Sequence, residues 1–170
     1  MFETLDAGGI SDAEASVCID DPDASGDPRA CPPGCKGLFR DHAYLICRVE
    51  APWAAAETNC EAHGMQLVRI DDAAENAWIN DVAFNSSPGI DRNWLGGSDL
   101  GTLGDWRWVD GAQFWSGPAS GMPVGGLYTN WDPGEPNNFG EGENCLVMFA
   151  KATWNDDSCF TPHRYVCEAR

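Results

Sequence analysis

Basic side chains are scarce in this 170-residue chain: ten Lys and Arg stand against 27 Asp and Glu, a formal net charge of −17. So acidic a surface repels phosphates, which argues against nucleic acid and anionic membranes as targets. Long apolar runs are missing as well. No stretch approaches the ~20 residues that cross a bilayer, so no membrane insertion is expected. The opening, Met1 to Ser16, has neither a basic nor an apolar segment and reads as a mature or trimmed terminus rather than a secretory signal. Histidine is limited to His42, His63 and His163, too scattered for a zinc site or a triad, and each reads as a surface or hairpin residue. CxxC pairs are absent too, which removes the common zinc and redox motifs.

What is present in quantity is cysteine. Eight of them at irregular spacing read as disulfides made in an oxidising compartment, and the chain as secreted or cell-surface. A hydrophobic content of 43% fills the core of one domain. Residues 1–34, rich in Asp, Ala, Gly and Pro, read as an acidic leader or linker partly tied by cysteines, and 35–170 as the domain. Within the leader Asp21, Asp23, Ser25 and Gly26 imitate the start of an EF-hand loop, but Pro32 stands where its closing glutamate belongs.

From residue 36 onward periodicity appears. "GLFRDHAYLIC" predicts a hairpin turning at Arg40 to His42, with Phe39 opposite Ala43 and Cys35 facing Cys47. Pro52 suits the first position of a helix that buries Trp53, Ala56 and Cys60 and ends at Gly64. A second helix starts near Asp72, where Asp72 and Glu75 resemble a capping box, and carries Ile79, Val82 and Ala83 inward as far as Asn85. "MQLVRI" between them reads as a strand, as do "NWLGGSD", "WRWVDG", "CLVMFA" and "RYVCEA". Helices early and strands late predict an α+β domain. Residues 112–144 form a long Gly- and Pro-rich segment with little period, a length that calls for a function or a fastener. Trp94, Trp106, Trp108, Trp131 and Trp154 read as core or loop-packing residues, and Trp115 as the exposed one.

Cys60, "WLGG" at 94–97, "EPN" at 135–137, Cys145, "WND" at 154–156, Cys159 and "YVCE" around Cys167 follow one another in an order that resembles the C-type lectin-like domain. The likeness runs from about Cys35 to Arg170. It implies a disulfide-stapled fold of two helices and two small antiparallel sheets with a long calcium-binding loop. It also implies that Cys60 bonds Cys167 and Cys145 bonds Cys159. The four remaining cysteines allow three pairings; the hairpin register favours Cys35 with Cys47, as in long-form members, which leaves Cys18 with Cys31.

Glu135, Asn137, Glu143, Asn155 and Asp156 occupy the positions at which calcium-dependent members hold their principal Ca2+ ion. Three carboxylates and two amides suit a hard cation that takes roughly six to eight oxygens, with positions left for ligand. The resemblance implies that two adjacent sugar hydroxyls complete the shell, donating to Glu135 and Glu143 and accepting from Asn137 and Asn155. The order Glu-Pro-Asn resembles the mannose-type selector, whereas galactose-type members read Gln-Pro-Asp; the partners implied are glycans ending in mannose, fucose or N-acetylglucosamine. Pro136 in the family follows a cis peptide bond. Phe139 stands where galactose binders often stack an aromatic on the sugar, or else covers the loop. Asp99, Asn138, Glu143 and Asn144 fall at an auxiliary calcium site, but Leu103 and Asn138 replace acids there, so one calcium is expected.

No enzyme is expected, because a glycosidase needs one carboxyl with a raised pKa, while calcium would keep Glu135 and Glu143 ionised. The function expected is a calcium-dependent lectin, weak for single sugars and reliant on an oligomer or a multi-domain parent for avidity. The alternative is a protein-binding adhesion module whose calcium only stiffens the loop.

Overall fold

A computed structural model describes residues 18, 30–84 and 92–170. The EF-hand-like stretch and Asn85 lie outside the described residues. The first hairpin pairs β1 (Cys35–Phe39) with β2 (Ala43–Ala51) in the register Phe39 to Ala43, Gly37 to Leu45 and Cys35 to Cys47. Helix α1 (Trp53–Glu61) follows, with Pro52 as its N-cap rather than its first residue. It buries Trp53, Ala56 and Cys60 and closes through Gly64, whose φ of 69° suits a residue without Cβ.

The stretch read as one strand, "MQLVRI", contributes only the two-residue β3 (Gln66–Leu67). Its partner β10 (His163–Glu168) pairs with it at Cys167 and Glu168 alone. Past that point Val68 still donates to Val166 O (2.9 Å) and accepts from the Gly96 N–H (2.8 Å), but no regular ladder continues before α2 (Ala73–Phe84), and Val68 and Ile70 are buried as core residues. Asp72 Oδ1 accepts the Glu75 N–H at 2.7 Å, but Glu75 returns its carboxylate to the Asp71 N–H (2.7 Å), one residue earlier than a capping box requires. Ile79 and Ala83 are buried while Val82 is half-buried.

The remaining strands are β4 (Arg92–Ser98), β5 (Asp105–Trp108), β6 (Gln113–Ser116), β7 (Met122–Pro123), β8 (Cys145–Phe149) and β9 (Trp154–Asp157). Strand β6 lies inside the stretch expected to be irregular: Phe114 and Trp115 are both buried between Gln113 and Ser116, and the strand pairs back onto β5 with a register shift at Phe114. Two antiparallel groups result. One is β1-β2-β10 with β3; the other is β4 with β5-β6-β7 on one edge and β8-β9 on the other. A short parallel pairing of Arg164 with Asn93 and Tyr165 with Trp94 joins them, so among the described residues all ten strands belong to one connected sheet.

Two apolar clusters fill the interior. One gathers Trp53, Cys60, Leu67, Trp94 and Tyr165 beneath α1; the other gathers Ile46, Ile79, Leu95, Trp106, Phe114 and Trp154. The disulfides are Cys18–Cys31, Cys35–Cys47, Cys60–Cys167 and Cys145–Cys159. Cys60–Cys167 ties α1 to β10 across 107 residues, and Cys145–Cys159 closes the β8-β9 hairpin across 14. Trp115, expected at the surface, is 9% exposed because its ring packs against Trp131.

Candidate functional site

The long loop is laid on an aromatic bed. Trp131 meets Trp106 at a ring separation of 4.9 Å and also packs on Phe114, Trp115 and Trp154. Backbone bonds then clip the loop to β9: Trp154 N–H donates to Asn130 O (2.9 Å) and Asp132 N–H to Trp154 O (2.8 Å). The Glu135 N–H returns to Asp132 O at 2.9 Å, which turns the chain into the Glu135–Pro136 bond, a cis peptide. Beyond it Asn138 adopts a left-handed conformation, with φ 49°, before a short 3-10 turn at Phe139–Glu141.

Strand β9 supplies the other half. Pairing with β8 sets Asn155 opposite Val147 and Asp156 opposite Leu146, and both polar residues are buried. Asp156 is the hinge of the site, since its two carboxylate oxygens accept the N–H groups of Asn137 (3.0 Å) and Asn138 (2.6 Å). The carboxyl of Glu135 lies against Asp156 and Asn137, and Glu135 Oε2 is buried with no hydrogen-bond donor. Burial first, and then the adjoining Asp156 carboxylate, push the Glu135 pKa up to about 7. Glu143 Oε2 accepts the Phe139 N–H (3.0 Å), while the Glu143 N–H donates to Asn138 Oδ1 (3.0 Å). Burial, with Asp156 and Asp157 nearby, raises its carboxyl too, against the opposing Phe139 N–H and Arg92.

Glu135, Asn137, Glu143 and Asp156 are thus gathered at one place. Asn155 adjoins Asp156 in the chain but turns its amide to the Asp156 carbonyl, and its side chain bonds none of the other four among the described hydrogen bonds. Phe139 is 80% exposed. At the auxiliary position both Asp99 oxygens are already engaged, Oδ1 by Asn144 Nδ2 (2.8 Å) and Oδ2 by the Gly104 N–H (2.7 Å). Leu103 beside it is 67% exposed.

Sequence reasoning missed how the neighbouring Asp157 is disposed of. Burial opposes its ionisation, but His163 (2.9 Å), the Ser158 N–H and Arg92 outweigh that and hold its carboxyl below the usual range. No sequence signal marks this, because Arg92 and His163 come from different strands. His163 is therefore half-buried and packed on Trp94, whereas His42 sits in the turn of the first hairpin, half-buried against Glu168, and His63 is exposed, both as expected.

Residues 49–169 match the family model described as Lectin C-type domain. The chain belongs to the C-type lectin domain family. It is 32% identical over 143 residues to a perlucin-like protein of Mytilus galloprovincialis, covering 82% of this chain and 83% of that one. Against the CD209 antigen of Pongo pygmaeus it is 35% identical over 131 residues, 77% of this chain but only 29% of the relative. Among solved structures, the cow CD23 carbohydrate-recognition domain, determined in the presence of a GlcNAc2Man3 oligosaccharide, superposes with a TM-score of 0.63 at 30% identity, over 82% of this chain and 95% of that one. A calcium-independent type II antifreeze protein also matches (TM-score 0.61, 27% identity, 82% and 93% covered), so membership of the C-type lectin family does not by itself specify a metal. The family consists of non-catalytic binding domains, generally for carbohydrate.

Proposed function

We propose that this chain is a calcium-dependent lectin for terminal sugars of the mannose, fucose or N-acetylglucosamine type, with Glu135, Asn137, Glu143, Asn155 and Asp156 as its ligand set. The observation that carries the reading is the Glu135 carboxyl set directly against that of Asp156, with the Glu143 carboxyl near enough to feel the Asp156 charge. Among the described residues no Lys or Arg forms an ion pair with any of the three, and Glu135 Oε2 is buried without a donor. Packing acids together without a counter-charge is costly unless a cation belongs there. The donors are all hard oxygens, which fits Ca2+ and not a thiolate- or imidazole-seeking metal.

When bound, the ion offers open coordination positions to two vicinal hydroxyls of a sugar. Glu135 and Glu143 then accept a hydrogen bond from each hydroxyl, and the Asn137 and Asn155 amides donate one to each. A hydroxyl pair is read by this alternation of acceptor and donor, and the Glu-Pro-Asn order sets its sense. Phe139, whose exposure and backbone bond to Glu143 support the assignment, would lie along the apolar face of the sugar. One calcium suffices in this reading, because Leu103 and Asn138 stand where acids would complete an auxiliary site.

Single sugars bind such a shallow site weakly, so avidity comes from several copies or from a larger parent protein. A glycan array with and without calcium tests the reading: binding to mannose- or fucose-terminated glycans should vanish with chelator and be competed by free mannose. Calcium-dependent binding to a protein partner that ignores millimolar mannose and fucose would instead identify an adhesion module.

A further inference from the structure

The two halves of the sheet meet at a seam of only two register pairs, Arg164 with Asn93 and Tyr165 with Trp94. Tyr165 and Trp94 belong to the apolar cluster beneath α1, whereas Val166 and Leu95, one residue further on, belong to the other cluster. Side chains alternate along a strand, so Asn93 and Arg164 stand side by side on the face of that second cluster, where Met148 of β8 is the other neighbour of Asn93. Polar groups set there need partners, and these lack them. Asn93 is 1% exposed and its Nδ2 has no hydrogen-bond acceptor; Nε and Nη1 of Arg164 are buried and have none either. We propose that Asn93 and Arg164 hold a small monovalent anion of the chloride type across the seam.

Three features point to an anion. The unmet groups are all donors, which neither a cation nor a further N–H can serve. The charge is unmet as well. Arg40, Arg69 and Arg92 are half-buried like Arg164, and each pairs with a carboxylate. Among the described residues Arg164 forms no ion pair, in a chain whose net charge is −17 and which has acids to spare. A water molecule can accept from two of the donors, but it leaves the guanidinium charge uncompensated beside an apolar cluster, whereas one negative ion answers both needs. Lastly, all three nitrogens are closed to solvent, which suits a compact halide over a bulky oxyanion such as sulfate. Bound to both strands, the ion adds a tie between β4 and β10 where the ladder itself supplies only two pairs.

The test is urea unfolding of the full chain at constant ionic strength, with sodium chloride replacing sodium gluconate, whose anion is too large to enter, while the Asn93 Nδ2 and Arg164 Nε resonances are followed by NMR. Wild type should gain stability saturably. At a chloride concentration about ten times its dissociation constant the folding equilibrium constant should rise roughly elevenfold over gluconate, and both resonances should shift along the same curve. Asn93→Asp supplies a carboxylate of its own beside Arg164, so it should fold in gluconate and lose the chloride dependence. Arg164→Gln should lose it too, and Arg48→Gln, which removes an exposed cation, should behave like wild type. A chloride-dependent gain that persists in Asn93→Asp and Arg164→Gln overturns the proposal. So do wild-type resonances that ignore chloride, the result expected if the Asn93 carboxamide is turned over and its Oδ1 accepts from Arg164 instead.

Discussion

Lowering the pH from 8 to 6 should weaken calcium binding about tenfold, and the step should belong to Glu135. In the metal-free chain its pKa is pushed up to about 7, first by burial and then by the Asp156 carboxylate beside it. A cation can bind only the ionised form, so apparent affinity scales with the deprotonated fraction. That fraction is about nine tenths at pH 8 and about one tenth at pH 6, which supplies the tenfold ratio. Proton release reports the same quantity: calorimetry in buffers of different ionisation heat should give ~0.9 proton per calcium at pH 6 and ~0.1 at pH 8. The stability of the metal-free chain moves in the opposite direction. A carboxyl raised from its ordinary 4.5 binds more protons folded than unfolded between about 4.5 and about 7, so its stabilising contribution is present below that window and lost as pH rises through it. Glu135→Gln should weaken calcium binding and abolish the pH step. An affinity that is flat from pH 8 to 6 and falls only below pH 5 would refute the crowding of Glu135 against Asp156.

Exchanging the selector, Glu135→Gln with Asn137→Asp, should move sugar preference toward galactose while calcium is retained, read on the same glycan array. Gly96→Ala should cost roughly 1–3 kcal/mol or more in urea unfolding, because its Cβ would stand 2.4 Å from the Leu67 carbonyl oxygen, a backbone atom that cannot step aside. Trp154→Phe removes the indole N–H that bonds Asn76 Oδ1 at 2.8 Å and strands a buried acceptor, which should cost about 1–3 kcal/mol by the same measurement. Replacing Cys145 and Cys159 together by Ala should cost ~3 kcal/mol on the chain-entropy estimate, since the bridge spans 14 residues.

What could be read from the sequence was whatever is local or carried by spacing. The Arg40–His42 hairpin and its register follow from alternation around a short turn, and β1 and β2 adopt that register. The helices follow from buried residues at i, i+3 and i+7 such as Trp53, Ala56 and Cys60. What could not be read was decided across the fold. β6 was lost in a Gly- and Pro-rich stretch, because a four-residue strand is recognisable only beside the β5 edge it completes. "MQLVRI" has the apolar content of a strand, yet β10 offers it only two paired residues before α2 begins. Trp115 is hidden by Trp131, sixteen positions away, and no window around "QFWSG" contains that contact.

The same division runs through the candidate site and explains why its two halves differ. Asn155 and Asp156 sit in β9, paired with β8 and stapled by Cys145–Cys159, so their positions are set before any cation arrives. Glu135, Asn137 and Glu143 ride on a loop whose inner face is held by Trp131 but whose outer face answers chiefly to Asp156, through the two N–H groups of Asn137 and Asn138. Asp156, a proposed ligand, is thus also the strut that places Asn137 and Asn138. Asp156→Asn keeps an oxygen for one of those two N–H groups but turns an N–H2 toward the other. It should therefore lose calcium affinity by more than the removal of one charge, as Asn137 and Asn138 lift away. Glu143→Gln, which removes the same charge from a residue that holds only the Phe139 N–H, supplies the comparison. Calcium titration of the two variants side by side should show the larger loss at Asp156, together with hydrogen-exchange deprotection of the Asn137 and Asn138 amides that Glu143→Gln does not share. Equal losses and equal protection would mean that the loop keeps its shape without the strut.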